Sequence, residues 1–174
     1  MRNTLPLAAA LLASSASAQE PAAPAPTLEY AFTARVTVAP PVELGAVEGG
    51  QRRFIAITGG TVSGPLLHGT IMAAGGDWQT IEPGGLTRVE ARYFVKADDG
   101  AVIEITNPGV RVASTEVTDR LAHGVPVDAS EYYFRTTPRF AVADGPHGWM
   151  RRHAFVARGV RLPDVVLVDF YVVR

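Results

Sequence analysis

The sequence predicts an all-β protein, an antiparallel meander closed as a barrel or folded as a sandwich. Two observations carry that reading. Segments rich in β-branched and aromatic residues recur from Leu28 to Val173, and Gly, Pro and Asp-Gly turn signals fall between them. A single helical pattern interrupts the series.

The chain opens with Met1-Arg2-Asn3, an apolar run from Leu5 to Leu12, and the small residues Ala16-Ser17-Ala18 before Gln19. This order reads as a secretory leader over 1–18, too short to span a bilayer. A Pro/Ala-rich linker follows over 19–26, EPAAPAP from Glu20, and a single domain is expected over 27–174. The expected location is periplasmic or secreted, with no membrane span. With Cys 0, disulfides and thiolate chemistry are excluded. The formal charge is −1, and becomes −2 when Arg2 leaves with the leader, so nucleic acid is not an expected partner.

Strands are expected at Leu28 to Val38, Arg53 to Thr58, Thr61 to Ser63, Gly69 to Ala73, Asp77 to Glu82 and Thr87 to Ala97. Four more are expected at Ala101 to Asn107, Tyr132 to Phe140, His153 to Gly159 and Val165 to Val173. Gly59-Gly60, Gly75-Gly76, Asp99-Gly100 and Asn107-Pro108-Gly109 read as turns. Ser114 or Thr115 can cap the helix, Val117 and Leu121 share a face, and Gly124 can end it. Asp128 and Glu131 have capping-box spacing.

Alternation assigns polar residues to faces. Asp77 and Gln79 oppose Trp78, while Glu90, Arg92 and Phe94 oppose Ala91, Tyr93 and Val95. In EYYFRTTPRF, Glu131 to Phe140, the donors Tyr133, Arg135, Thr137 and Arg139 oppose Tyr132, Phe134 and Thr136. Two packings follow. The apolar set can fill the lumen, with the polar set solvated, or Asp77, Glu90, Arg92, Tyr133 and Arg135 can line it.

Four segments together resemble the domain of unknown function 3237 family: ITGGTVSGP at Ile57 to Pro65, GGDWQ at Gly75 to Gln79, EARYFVKADDGAVIEI at Glu90 to Ile105, and EYYFRTTPRF. The similarity covers roughly Thr27 to Val173. It implies an antiparallel barrel of about ten strands, to which this chain adds one short helix. Most members lack an assigned activity, and some relatives in natural-product pathways are associated with cofactor-independent cyclisation or addition chemistry. The sequence departs at Arg151, where the tryptophan-containing motif commonly has asparagine.

No phosphate loop, dinucleotide fingerprint or nucleophile elbow occurs, and the four histidines lack ligand spacing, so neither cofactor nor metal is expected. A carboxylate in a low-dielectric pocket can act as general acid or base, and arginine can hold an anion. The candidate catalytic residues are therefore Asp77 for proton transfer, Arg92 and Arg135 for anion stabilisation, and Tyr133 as donor or stacking surface. Candidate ligand-binding residues are Trp78, Gln79, Glu90, Thr137, Trp149 and Tyr171. The leading reading is an exported small-molecule-binding barrel whose ligand is acidic or aromatic. A cofactor-free lyase, isomerase or cyclase is the alternative, and a structural barrel forming a homo-oligomer is the third.

Overall fold

The computed structural model describes residues 23–174. The leader expected over 1–18 lies outside the described residues, as does the first part of the linker. Ten strands form: β1 (Leu28–Val38), β2 (Val42–Val47), β3 (Gly50–Ser63), β4 (Gly69–Ile81), β5 (Leu86–Ala97), β6 (Val102–Val112), β7 (Tyr133–Thr136), β8 (Arg139–Val142), β9 (Phe155–Arg161) and β10 (Val165–Val173). Eight of them close a barrel in the order β1-β10-β9-β7-β6-β5-β4-β3, sealed by β3 against β1. β2 hangs from the outer side of β3, and β8 pairs with β6 alongside β7. All pairings are antiparallel.

Several expected turns are instead devices that let one strand run on. The register slips between Ala56 and Gly60 in β3 and between Ile71 and Gly75 in β4. Both slips are bulges, which add local bend and twist of the kind a closed barrel needs. Gly75 has φ +107°, and a Cβ there would lie 2.1 Å from the carbonyl oxygen of Arg92. Glycine is therefore the residue that both the backbone and the neighbouring strand accept.

Pro108 likewise does not end β6. There β6 changes partner, from β8 at Thr106↔Arg139 to β7 at Gly109↔Thr136. A proline without an N–H suits such a break in the ladder, and its carbonyl accepts the Thr137 amide at 2.9 Å. The break splits the expected Tyr132 to Phe140 strand into β7 and β8. β2, which was not among the expected strands, fills the stretch between the turn signals Pro40-Pro41 and Gly49-Gly50.

α1 (Thr115–Ala122) begins where the sequence placed it: Ser114 is the N-cap, its Oγ accepting the Val117 amide at 3.1 Å. Asp128 and Glu131 form the capping box of a short 3-10 helix, Ala129–Glu131. Two apolar clusters hold the barrel. Phe32, Phe140, Phe155 and Phe170 centre the larger, with Phe32 stacked on Phe170 at 4.5 Å. Val89, Val117, Leu121, Tyr132 and Phe134 form the smaller and bind the helix to the barrel. Each fully buried aromatic or branched side chain stabilises by about 1.5–3 kcal/mol, so the clusters tolerate a polar stretch between them.

Candidate functional site

That polar stretch lies in the lumen. One row of paired residues runs Ile55↔Asp77↔Ala91↔Asn107 across β3, β4, β5 and β6. The neighbouring row runs Arg53↔Gln79↔Val89↔Gly109↔Thr136. Thr87↔Arg111↔Phe134 follows it. Alternation turns these side chains inward, and small Ala91 leaves a gap between Asp77 and Asn107.

Asp77 is held at both oxygens. Gln79 Nε2 donates to Oδ2 at 2.5 Å, and the Glu90 amide donates to Oδ1 at 3.0 Å. Gln79 Oε1 in turn accepts Nε and Nη2 of Arg53 at 2.9 and 2.8 Å. Arg53 Nη1 reaches Glu43 of β2 at 3.9 Å. Asp77 keeps some accessible surface because it lines the cavity, yet protein surrounds its carboxyl. Desolvation pushes its pKa up to about 6, against the opposing pull of the Gln79 and Glu90 hydrogen bonds and of Arg111 and Arg53.

Around this carboxyl, four buried polar atoms have no hydrogen-bond partner: Tyr93 Oη, Asn107 Oδ1, Arg111 Nε and Thr136 Oγ1. All four residues line the same cavity as Asp77 and Gln79. Arg111 and Tyr93 are each only 1% exposed. Burial lowers the Arg111 pKa to about 10, helped by the like charges of Arg53 and Arg161, and it raises that of Tyr93. At neutral pH the first therefore stays cationic and the second stays a neutral O–H donor. Unpaired buried polar groups cost about 1–3 kcal/mol each, so four facing one space otherwise walled by Val36, Ile55, Ile57, Val89 and Val168 give it a convergent set of free polar atoms. The cavity measures about 40 Å³, room for roughly three waters at 10–15 Å³ each, and opens to solvent on one side.

Of the residues singled out from sequence, the structure brings Asp77 and Gln79 together in the lumen. It does not bring the others there. Arg92 pairs with Glu104 on the outer face. Tyr133 is 51% exposed, and Arg135 stacks over its ring at 5.0 Å while donating to the Phe134 carbonyl. Glu90 and Thr137 are exposed, and Trp78 packs outside on Phe54. Trp149 rests on Phe155 and His153, and Tyr171 meets Tyr30 edge-on. The physical reason is one register choice. In β5 and β7 the apolar set turns inward, which sends Glu90, Arg92, Tyr133 and Arg135 out to water. The polar part of the lumen is built instead by Tyr93, Asn107, Arg111 and Thr136, with Arg161 of β9 at its margin and Arg53 held behind Gln79. No group of three His, Cys, Asp or Glu able to hold a metal occurs among the described residues.

A closed antiparallel barrel with a buried carboxylate and arginines in its lumen is the class these features define. The chain belongs to the family described as "Protein of unknown function (DUF3237)", whose model matches residues 26–173. It is 37% identical to a UPF0311 protein of Rhodopseudomonas palustris, over 84% of this chain and 97% of that one. Among solved structures, a conserved protein of unknown function from Rhodopseudomonas palustris aligns with TM-score 0.84 at 35% identity, covering 87% of this chain and all of that one. A β-barrel-like protein of Acinetobacter baumannii aligns with TM-score 0.77 at 36% identity, over 88% of this chain and 99% of that one. The hydroalkoxylation enzyme phnH of Penicillium herquei is 31% identical over 47% of this chain and 54% of its own length.

Proposed function

We propose that the lumen binds a small oxygenated molecule and that Asp77 moves a proton to or from it. The observation that supports this reading most strongly is the convergence of four unpartnered buried polar atoms and a carboxyl of raised pKa on one cavity. A carboxylate titrating near neutrality is matched to general acid–base work. Asp77 takes a proton from carbon next to a carbonyl, or from a hydroxyl, and returns one to the product. Arg111 and Tyr93 face the oxygen on which charge develops. Such chemistry includes enolisation and the addition of O–H across an activated C=C. The partial similarity to a hydroalkoxylation enzyme agrees in kind with the second. The small enclosed volume suits the reacting head of a ligand, with any remainder in the mouth.

The test is α-proton exchange of acetylacetone and pyruvate in D₂O, followed by ¹H NMR. The folded parent is expected to accelerate exchange, and Asp77→Asn to return it to the buffer rate while melting as a folded protein. No acceleration by the parent would reject the proposal. Export through the leader is a second part of it, and mass spectrometry of the mature N-terminus, expected at Gln19, tests it.

A further inference from the structure

The charge of the lumen says more than that a ligand fits. Two arginines, Arg111 and Arg161, stand with one carboxylate, Asp77, along the same cavity, and a third, Arg53, is held behind Gln79. Two of the three are already engaged. Arg53 spends Nε and Nη2 on Gln79 and sets Nη1 near Glu43. Arg161 Nη1 donates to the carbonyls of Leu162 and Val165. Arg111 is different: Nη2 makes one long contact, 3.4 Å to Thr87 Oγ1, Nε has none, and no carboxylate among the described residues pairs with it. A guanidinium has five donors and no acceptor, so what it lacks is an anionic oxygen. Asn107 Oδ1 has the opposite lack, since it is buried and accepts from nothing.

We propose that the lumen selects a hydroxylated organic anion, its charged oxygen seated on Arg111 and its hydroxyl donating to Asn107 Oδ1. This deepens the proposed function and rests on the lumen being a binding site, though not on Asp77 being catalytic. An uncharged ligand leaves the Arg111 guanidinium with only the longer-range attraction of Asp77 and no anionic oxygen in contact. An anion lacking a hydroxyl leaves Asn107 unpaired, and unpaired buried polar groups are where discrimination is strongest.

Glycolate, acetate and ethylene glycol separate the two seats. Each is titrated while the arginine Nε–H resonances are followed by ¹⁵N NMR. Glycolate is expected to shift the Arg111 signal saturably and to bind about tenfold more tightly than acetate, with ethylene glycol weaker than both. Asn107→Leu should bring glycolate to the acetate level, and Arg111→Met should abolish both. Because Arg111→Met leaves a polar lumen around an apolar side chain, Asn107→Leu and the ligand series decide the matter if it fails to fold. In Asp77→Asn, which removes the one negative charge, glycolate should bind at least as tightly as in the parent whether or not the parent exchanges protons. Ethylene glycol binding as tightly as glycolate, none of the three binding, or glycolate binding lost in Asp77→Asn would each overturn the proposal.

Discussion

Gln79 fixes Asp77 from two residues along the same strand, donating its amide to Oδ2 at 2.5 Å while its carbonyl takes two donors of Arg53. One neutral side chain thus separates a buried cation from a buried carboxylate that would otherwise attract each other directly. Gln79→Leu breaks both contacts. Arg53 would keep only its long contact to Glu43, so unfolding free energy should fall by about 2–4 kcal/mol. The Asp77 pKa should rise above its present value of about 6, because the Gln79 hydrogen bond opposes the desolvation that raised it. Denaturant melts and a ¹³C carboxyl titration measure the two effects.

Asp77 gives the fold a pH dependence of defined sign. Its folded pKa of about 6 exceeds the unfolded 3.8, so the folded state binds more protons between those values. Stability from this group is complete below about pH 4 and falls as pH rises through about 6, by roughly 3 kcal/mol in all. The difference in stability between the parent and Asp77→Asn should therefore move in favour of the variant from pH 4 to pH 7. Urea melts across that range check it, and a difference independent of pH would contradict it.

The Phe134 ring lies against Gly159, where an added Cβ would stand 2.4 Å from Cδ1 and 2.5 Å from Cε1. Gly159→Ala pushes that ring into the cluster that carries α1, at a cost of about 1–3 kcal/mol. Gly159→Ala with Phe134→Leu should be less destabilised than the sum of the two single variants, a coupling that a double-mutant cycle in urea measures.

Tyr132 closes the end of β9, its phenol oxygen accepting the Arg161 amide at 3.0 Å. Tyr132→Phe leaves that amide without its partner and should cost about 1–2 kcal/mol. Amide exchange at Arg161 should accelerate more than exchange elsewhere in β9, as measured by hydrogen exchange.

Much of the fold was legible in the sequence, the lumen less so. β1 and β10 have the bounds that β-branched and aromatic alternation predicted, and the Ser114 cap and the Asp128 capping box follow from local chemistry. Asp77 and Gln79 could be placed on one face because a strand separates residues two apart by a full pleat. Arg111 was missed because Asn107-Pro108-Gly109 carries every sign of a turn, and only the switch of β6 from β8 to β7 explains why it continues as strand. Had β6 been read to Val112, the parity of Ile103, Ile105, Asn107 and Arg111 would have put both polar residues inward. Arg161 was lost in the same way, beyond an expected strand end at Gly159. Arg92, Tyr133 and Arg135 carry the right chemistry on the wrong face, and alternation alone cannot choose a face.

The central claim is that Asp77 is the proton-transfer group of an occupied lumen, and the pH profile of α-proton exchange in D₂O tests it most directly. A base acts when ionised, so the rate with the parent should rise through a pKa of about 6 and then level, while Asp77→Asn should follow the buffer at every pH. Exchange that is equally fast in Asp77→Asn, or a profile without that inflection, would contradict the account.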